Sequence, residues 1–131
     1  MNAAIAALIL SIAIEVGIPP YFALAIAVTE NAALDPSAVN ANADNTYDRG
    51  VMQLNSSWYT GDWQDAEVNI RAGCLHIKQL KDRGLNYWQT AIAYNAGYSR
   101  LASGKPPDSS IEYANRVLAK WQELEGSKWL R

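Results

Sequence analysis

Cysteine and histidine are almost missing from this sequence, and their scarcity excludes several kinds of chemistry. The 131 residues include one cysteine, Cys74, and one histidine, His76. One cysteine and one histidine are too few for an internal disulfide or a Cys/His zinc cluster, and they leave no further residue to complete a Ser-His or Cys-His triad. We interpret Cys74 and His76 as structural residues. Carboxylates are therefore the main acid and base groups available to an enzymatic site.

The sequence also lacks a marked excess of charge of either sign. Lys and Arg number 11 and Asp and Glu number 13, which gives a formal net charge of −2. The basic residues are scattered along the chain instead of forming a stripe. We therefore expect no nucleic-acid partner, because such binding needs a concentrated positive surface.

The one long apolar run lies between Ala3 and Ile14 and is interrupted only by Ser11. About 12 residues of helix extend about 18 Å, which is short of the roughly 30 Å hydrocarbon core of a membrane. No Lys or Arg precedes the run, and Glu15 follows it where a signal peptide would have small residues. We expect a buried first helix and no transmembrane segment. A signal-like remnant and a helix that docks on a partner stay open as alternatives.

Length and periodicity predict a single, mainly α-helical domain over residues 1–131. Prolines, glycines and capping-box patterns, Asn86 with Gln89 and Ser109 with Glu112, mark the ends of the later helices. After the N-terminal helix, the second predicted helix begins at Pro19 or Pro20 and ends just after Glu30, and the third extends from Asp65 to Gly84. The fourth covers Tyr87–Ala96, and the last extends from Ser109 to Gly126.

A long loop, from Leu34 to Gln64, separates the second and third predicted helices. Asp35-Pro36 ends the preceding helix, and turn-forming Asn, Asp and Thr are concentrated from Asn40 to Asp48. No strand pattern is strong, so we expect an irregular loop that could include a small β-hairpin. Its oxygen-bearing side chains alternate as in calcium loops, but the bidentate Glu is missing, and we expect no metal. A loop of this length in a compact domain is usually functional.

Three short motifs indicate one candidate acid, Glu30. They are Thr29-Glu30-Asn31 at the end of an apolar helix, Gly50-Val51-Met52-Gln53 after the polar loop, and Ala93-Tyr94-Asn95-Ala96-Gly97 at the end of a later helix. Together they would place a carboxyl group in a pocket walled by Met and aromatic side chains. Burial without a nearby cation raises a carboxyl pKa and keeps an acid protonated near neutral pH, as glycoside chemistry requires. The alternative is that Glu30 only caps its helix or faces solvent.

Four motifs in series resemble a known family. They are Gly17-Ile18-Pro19 with Ala25 to Asn31, then Asp48 to Asn55, then Ala93 to Gly97, and finally Tyr113 to Leu118. Their order and spacing, from about Gly17 to Trp121, are similar to those of the soluble lytic transglycosylase catalytic domain, which has a lysozyme-like fold. The segment from Asn40 to Asn55 most resembles the specialised members that accompany secretion and conjugation machines.

The resemblance implies a peptidoglycan enzyme that needs no cofactor. Such enzymes cleave the β-1,4 bond between N-acetylmuramic acid and N-acetylglucosamine without adding water, and they leave a 1,6-anhydro ring. By analogy, Glu30 acts first as the acid and then as the base. The implied partners are peptidoglycan glycan strands, with a secretion system or a phage particle as a further candidate. The implied location is the periplasm or the cell envelope.

The resemblance also implies a set of substrate-binding residues, in which Met52 walls the pocket of the acid and Tyr113 directs its hydroxyl at Glu30. The set is Asn31, Met52, Gln53, Tyr94, Asn95 and Tyr113. Asn31 is a departure, because the family usually has Ser directly after its glutamate.

The sequence leaves two other functions open. A loop carboxylate, Asp44 or Asp48, could activate water and make the protein a lysozyme-type muramidase on the same fold. Alternatively, the protein could be an inactive peptidoglycan-binding or assembly module, for which Asn31 is the main argument. Among the aromatic residues, Trp58, Tyr59 and Trp63 are weak candidates for sugar stacking, and Trp88, Trp121 and Trp129 are interpreted as packing residues.

Overall fold

A computed structural model describes residues 1–128 of the chain, with side chains to residue 126. Trp129 lies outside the described residues. The expected mainly α-helical, lysozyme-like class is confirmed, since the described part forms six helices and a three-stranded sheet. The helices are α1 (Ala3–Val16), α2 (Pro20–Glu30), α3 (Ala66–Lys81), α4 (Tyr87–Ala96), α5 (Tyr98–Ala102) and α6 (Asp108–Lys128). The strands are β1 (Val39–Ala41), β2 (Tyr47–Arg49) and β3 (Leu54–Asn55).

The apolar N-terminal run forms α1, which is buried on one side only. The Asn2 side chain caps it by accepting the Ile5 backbone N–H, with 3.2 Å between oxygen and nitrogen. Ile9 and Ile12 are buried in the core, whereas Ile14 on another face is 66% exposed. Within residues 1–128, no helix is long and apolar enough to cross a membrane.

Helix α2 is the centre of the core, since every residue from Phe22 to Ala27 is buried. The Phe22 ring lies 5.0 Å, between centroids, from the rings of both Tyr87 and Trp121. The predicted packing role of Trp121 is therefore confirmed. Surrounded in this way, α2 has little freedom to shift, and its last residue, Glu30, is held at the edge of the core.

Local capping explains where several helices begin and end. The Asp65 side chain caps α3 by accepting the Val68 backbone N–H at 3.0 Å, and Asn86 and Gln89 form the predicted capping box of α4. Gly97 ends α4 as predicted and also begins α5. The short α5 was not predicted, because five residues are too few to show helical periodicity.

The predicted ends of the last helix are wrong at both positions. Helix α6 begins at Asp108, directly after Pro107, so Ser109 lies inside its first turn and does not cap it. The helix also continues through Gly126 to Lys128. A single exposed glycine lowers helix stability without ending a helix whose other residues favour it.

The loop between α2 and α3 contains a small antiparallel sheet in the order β1-β2-β3. Val39 pairs with Arg49 across β1 and β2, and Asp48 pairs with Asn55 across β2 and β3. The expected hairpin is therefore present together with one further strand. Each strand has only two or three residues, which is too short to show an alternating pattern in the sequence.

Asn69, a buried residue of α3, holds the part of the loop from Arg49 to Trp63 through three hydrogen bonds. The Asn69 side-chain oxygen accepts the Met52 backbone N–H at 2.8 Å, and its nitrogen donates to the carbonyls of Arg49 and Trp63, both at 3.1 Å. Gly50 approaches so closely that a Cβ there would collide with Asn69 and the Trp63 carbonyl, and its φ of 79° also favours glycine. Because Asn69 is fully buried, these bonds are shielded from competing water.

Replacing Asn69 with Ala should lower the free energy of unfolding by about 2–4 kcal/mol, because buried backbone groups lose their partners. Urea denaturation followed by circular dichroism measures this loss. The control is Asn86→Ala, which removes a helix cap that is exposed and should cost about 1 kcal/mol. Equal losses in the two variants would contradict the anchoring role of Asn69.

Candidate active site

A cleft of about 480 Å³ opens between the small sheet and the C-terminal end of α4. Its volume falls within the roughly 300–1,000 Å³ that is usual for small-ligand sites. The lining residues are mostly polar and come from five segments of the chain. They are Glu30, Asn42, Asp44, Thr46, Asp48, Gln53, Asn55, Ser57, Trp58, His76, residues 93–97 and Arg100.

Glu30 brings a carboxyl group from the buried helix α2 to the wall of this cleft. Tyr113 of α6 donates a hydrogen bond from its hydroxyl to Glu30 Oε2 at 2.9 Å. Burial raises the pKa of Glu30 from 4.5 to about 7, and the negative charge of Asp48 acts in the same direction. The Tyr113 hydrogen bond and the positive charge of Arg116 lower the pKa, but they do not offset burial. A large fraction of Glu30 is therefore protonated at neutral pH.

Met52 lies behind the cleft wall and is not part of the lining. It is fully buried against Gly73, where a Cβ would come within 2.8 Å of the Met52 Cβ and Cγ atoms. Tyr94, which does line the cleft, donates its hydroxyl to the Met52 carbonyl oxygen at 2.6 Å. Burial raises the pKa of Tyr94 and of Tyr113 well above 10, so both hydroxyls stay neutral.

The side-chain amide of Asn31 bonds to backbone groups of the loop. Its nitrogen donates to the carbonyls of Asp35 and Gly50 at 2.9 and 3.3 Å, and its oxygen accepts the Asp35 N–H at 3.2 Å. Asn31 does not line the cleft. Its predicted role in substrate binding stays a prediction, and the contacts seen here connect the end of α2 to the loop.

The side-chain amide of Gln53, like that of Asn31, is hydrogen-bonded to groups of the loop. Unlike Asn31, Gln53 lines the cleft. Its nitrogen donates to the carbonyls of Gly50 and Ala38 at 3.0 and 3.3 Å, and its oxygen accepts the Asn40 amide at 2.7 Å. Asn95 differs, because it is exposed at the cleft and its oxygen accepts the Ser110 hydroxyl at 2.7 Å. The predicted residues Gln53, Tyr94 and Asn95 thus share one cleft with Glu30.

Three ring side chains, those of Trp58, His76 and Tyr94, follow one another along one part of the cleft lining. Trp58, which is 47% exposed, lies 4.6 Å from His76 between ring centroids, and His76 lies 5.4 Å from Tyr94. His76 was expected to be a structural residue, and its position in the cleft lining was not predicted. Cys74, in contrast, is buried in the core, and burial raises the pKa of its thiol to about 12. Tyr59 and Trp63 are not among the lining residues.

The opposite wall is built from the small sheet and carries polar side chains that bond to each other. Asn55 donates from its amide to Asp48 Oδ1 at 2.9 Å and to Thr46 Oγ1 at 3.0 Å. The Thr46 hydroxyl in turn donates to Asp44 Oδ1 at 2.6 Å. The sequence singled out both aspartates, and Asn55 belongs to the second motif of the family resemblance. Thr46, which directly precedes β2, had no signal of its own.

The raised pKa of Glu30 should make stability depend on pH. Glu30 has its ordinary pKa of 4.5 in the unfolded chain and a pKa of about 7 in the folded protein. Relative to a Glu30→Gln variant, the wild type should therefore lose stability as the pH rises through this window. The melting temperature of Glu30→Gln minus that of the wild type, by differential scanning calorimetry, should be larger at pH 8 than at pH 4.

The control for this experiment is Glu123→Gln, which removes an exposed glutamate of α6. Its melting temperature should differ from the wild type by a similar small amount at both pH values, because exposed pairs contribute little. If the difference in melting temperature between Glu30→Gln and the wild type does not increase with pH, the pKa of Glu30 is not raised in the folded protein.

The comparisons with known proteins agree with this site. The sequence model of the family described as "Transglycosylase SLT domain" matches residues 7–117, a segment that includes Glu30, Tyr113 and the whole cleft lining. No curated protein sequence matches the chain. Because the family match covers most of the 131 residues, the chain belongs to the transglycosylase SLT family, whose members are lytic transglycosylases that act on peptidoglycan.

Proposed function

We propose that this domain, residues 1–131, cleaves the β-1,4 bond between N-acetylmuramic acid and N-acetylglucosamine without water. The observation that carries this proposal is the carboxyl of Glu30, which lines a polar cleft and has a pKa of about 7. A group with that pKa can exist in both protonation states near neutral pH. The proposed substrate places the protein in the periplasm or cell envelope, where a secretion system or phage particle would be its partner.

In the first step, Glu30 acts as the general acid. Its proton passes to the glycosidic oxygen of the leaving N-acetylglucosamine while the bond from that oxygen to the anomeric carbon breaks. The acetamido oxygen of the muramic acid residue stabilises the positive charge that develops on the anomeric carbon. Glu30 is left as a carboxylate.

In the second step, the same carboxylate acts as the general base. It takes the proton from the 6-hydroxyl of the muramic acid, and the hydroxyl oxygen forms a bond to the anomeric carbon. The product is a 1,6-anhydro ring, and Glu30 returns to its protonated state. One carboxylate is sufficient for both steps because no water has to be activated.

Tyr113 has the role of a positioning residue in this scheme. Its hydroxyl donates to Glu30 Oε2, which leaves the other carboxyl oxygen to carry the proton. Tyr94 holds the backbone of Met52, behind the cleft wall, and thereby supports the loop segment that ends at Gln53. Among the other predicted residues, Gln53 and Asn95 line the cleft and could contact a sugar. Asn31 and Met52 do not line it and would contribute by holding the loop in its conformation.

A hydrolytic muramidase is the second candidate, and the position of Asp48 favours it. Asp48 lines the same cleft as Glu30, and its negative charge raises the Glu30 pKa. A second carboxylate of this kind could activate water or stabilise the anomeric carbon, as in ordinary glycosidases. The two candidates differ in their products, because hydrolysis leaves a reducing muramic acid end.

Mass spectrometry of the soluble muropeptides released from purified peptidoglycan should decide between these candidates. The wild type should release anhydro products, which are lighter than the hydrolytic products by one water, about 18 Da, and Glu30→Gln should release none. Hydrated products that disappear in Asp48→Asn would support the muramidase instead. If the wild type and Glu30→Gln both release nothing, neither enzymatic function is correct.

The pH dependence of kcat/KM should report the Glu30 pKa of about 7. The acid step needs protonated Glu30, so kcat/KM should fall as the pH rises above about 7. Tyr113→Phe removes a hydrogen bond that lowers this pKa and should move the falling limb to higher pH. Asp48→Asn removes a negative charge that raises the pKa and should move the limb to lower pH. Shifts of the same sign in the two variants would contradict the proposed role of Glu30.

A further inference from the structure

The cleft has a strongly uneven distribution of charge. Three of its lining residues are acidic, and they lie at the end of α2 and on the sheet wall, whereas Arg100 of α5 is the only Lys or Arg that residues 1–126 contribute to the lining. The Arg100 side chain is exposed at the cleft. A negatively charged ligand group that enters this cleft therefore meets favourable charge at one place, next to α5.

Arg100 is not occupied by a protein carboxylate. Among residues 1–126, the Arg100 guanidinium takes part in no ion pair, and the hydrogen bond of this residue to a side chain is made by its backbone carbonyl, which accepts the Ser103 hydroxyl at 2.6 Å. Asp44 is near enough to feel its charge, but the hydrogen bonds from Thr46 are the main reason why the Asp44 pKa is low. The guanidinium group therefore has donors to offer a ligand.

The local structure holds Arg100 in place at the rim. Helix α5 begins at Tyr98, directly after Gly97, whose φ of 93° lets the chain turn sharply after α4. Arg83, in the turn that follows α3, stacks its guanidinium on the Tyr98 ring, 4.0 Å from the centroid. Packing against α4 and this stacking contact thus place the backbone of α5, and with it Arg100, next to the cleft.

The chemistry of peptidoglycan supplies a matching group. N-acetylglucosamine is neutral, so the carboxylates of a glycan strand are those attached through the lactyl group of muramic acid, either on the peptide stem or on the lactyl group itself. A planar guanidinium pairs well with a carboxylate, since two N–H groups can donate to its two oxygens.

We propose that Arg100 binds a carboxylate carried by the lactyl side chain of muramic acid, and that it makes the protein prefer glycan strands with such groups. This inference rests on the proposed function, because it assumes that glycan strands occupy the cleft. Arg100 is a specificity-determining residue in this view. The reaction at Glu30 does not require it.

Isothermal titration calorimetry tests whether Arg100 binds such a carboxylate. All variants carry Glu30→Gln, so that the ligand is not cleaved during the titration. The ligands are glycan strands with peptide stems, the same strands after amidase treatment, which keep a lactyl carboxylate, and chitohexaose, which has none. Adding Arg100→Gln should weaken binding of the stem-bearing strands about fivefold and leave chitohexaose binding within about twofold. Arg100→Lys should restore only part of the affinity, because it keeps the charge but loses the two parallel N–H donors.

The matched control is Lys105→Gln, which removes one exposed positive charge that does not line the cleft. It should bind all three ligands like its parent. If the loss caused by Arg100→Gln persists after amidase treatment, Arg100 accepts the free lactyl carboxylate as well as a stem carboxylate, and if the loss disappears, Arg100 binds the stem carboxylate alone. An equal loss for chitohexaose, or no loss for any ligand, would overturn the inference.

The failure of this inference and the failure of the proposed function can be distinguished. If the wild type releases no muropeptides but Arg100→Gln still weakens binding of the stem-bearing strands alone, only the proposed reaction is wrong. If the wild type releases anhydro products but Arg100→Gln binds every ligand like its parent, only the role of Arg100 is wrong.

Discussion

The burial of the Glu30 carboxyl at the end of α2, a helix that is itself buried, determines the chemical character of the cleft. Helix α2 has an unbroken set of buried residues from Phe22 to Ala27, so its last residue cannot move away from the core. A carboxyl group held there loses hydration, and its ionised form is disfavoured. Tyr113, 83 positions further along the chain, compensates in part by donating a hydrogen bond. The fold thus keeps an acid in an environment that an exposed helix end could not provide.

Buried amides help to shape the cleft beside this acid, together with the apolar core residues of the same loop. Asn31, Gln53 and Asn69 each hold two or more backbone or side-chain groups of the loop between α2 and α3. A side-chain amide can donate and accept at once, so three such residues satisfy many backbone groups that no regular sheet would pair. The loop can therefore present polar side chains to the cleft while its backbone stays fixed.

The helices were predictable from the sequence because their signals are local. Pro20, Asp65 and Asn86 mark the starts of α2, α3 and α4 through contacts within one turn. The family resemblance likewise implied that Glu30, Gln53, Tyr94 and Asn95 belong to one site, and all four line the cleft, whereas Asn31, Met52 and Tyr113 of the same set do not. The strands, α5 and the cleft positions of His76 and Arg100 depend on packing between distant segments. Such contacts leave no periodic pattern in the sequence.

A pKa near 7 would suit the role that we propose for Glu30, in which it serves as both acid and base. A much higher pKa would make Glu30 a weak acid, and a much lower one would make its carboxylate a weak base. Burial and Asp48 raise the pKa, while Tyr113 and Arg116 lower it, so its value reflects a balance between the core and the polar surroundings. Asp48 belongs to the sheet and Arg116 to α6, which means that the placement of both elements sets the protonation of Glu30. The loop between α2 and α3 therefore influences the Glu30 pKa through the charge of Asp48, and in the proposed reaction it would do so without Asp48 touching a reacting atom.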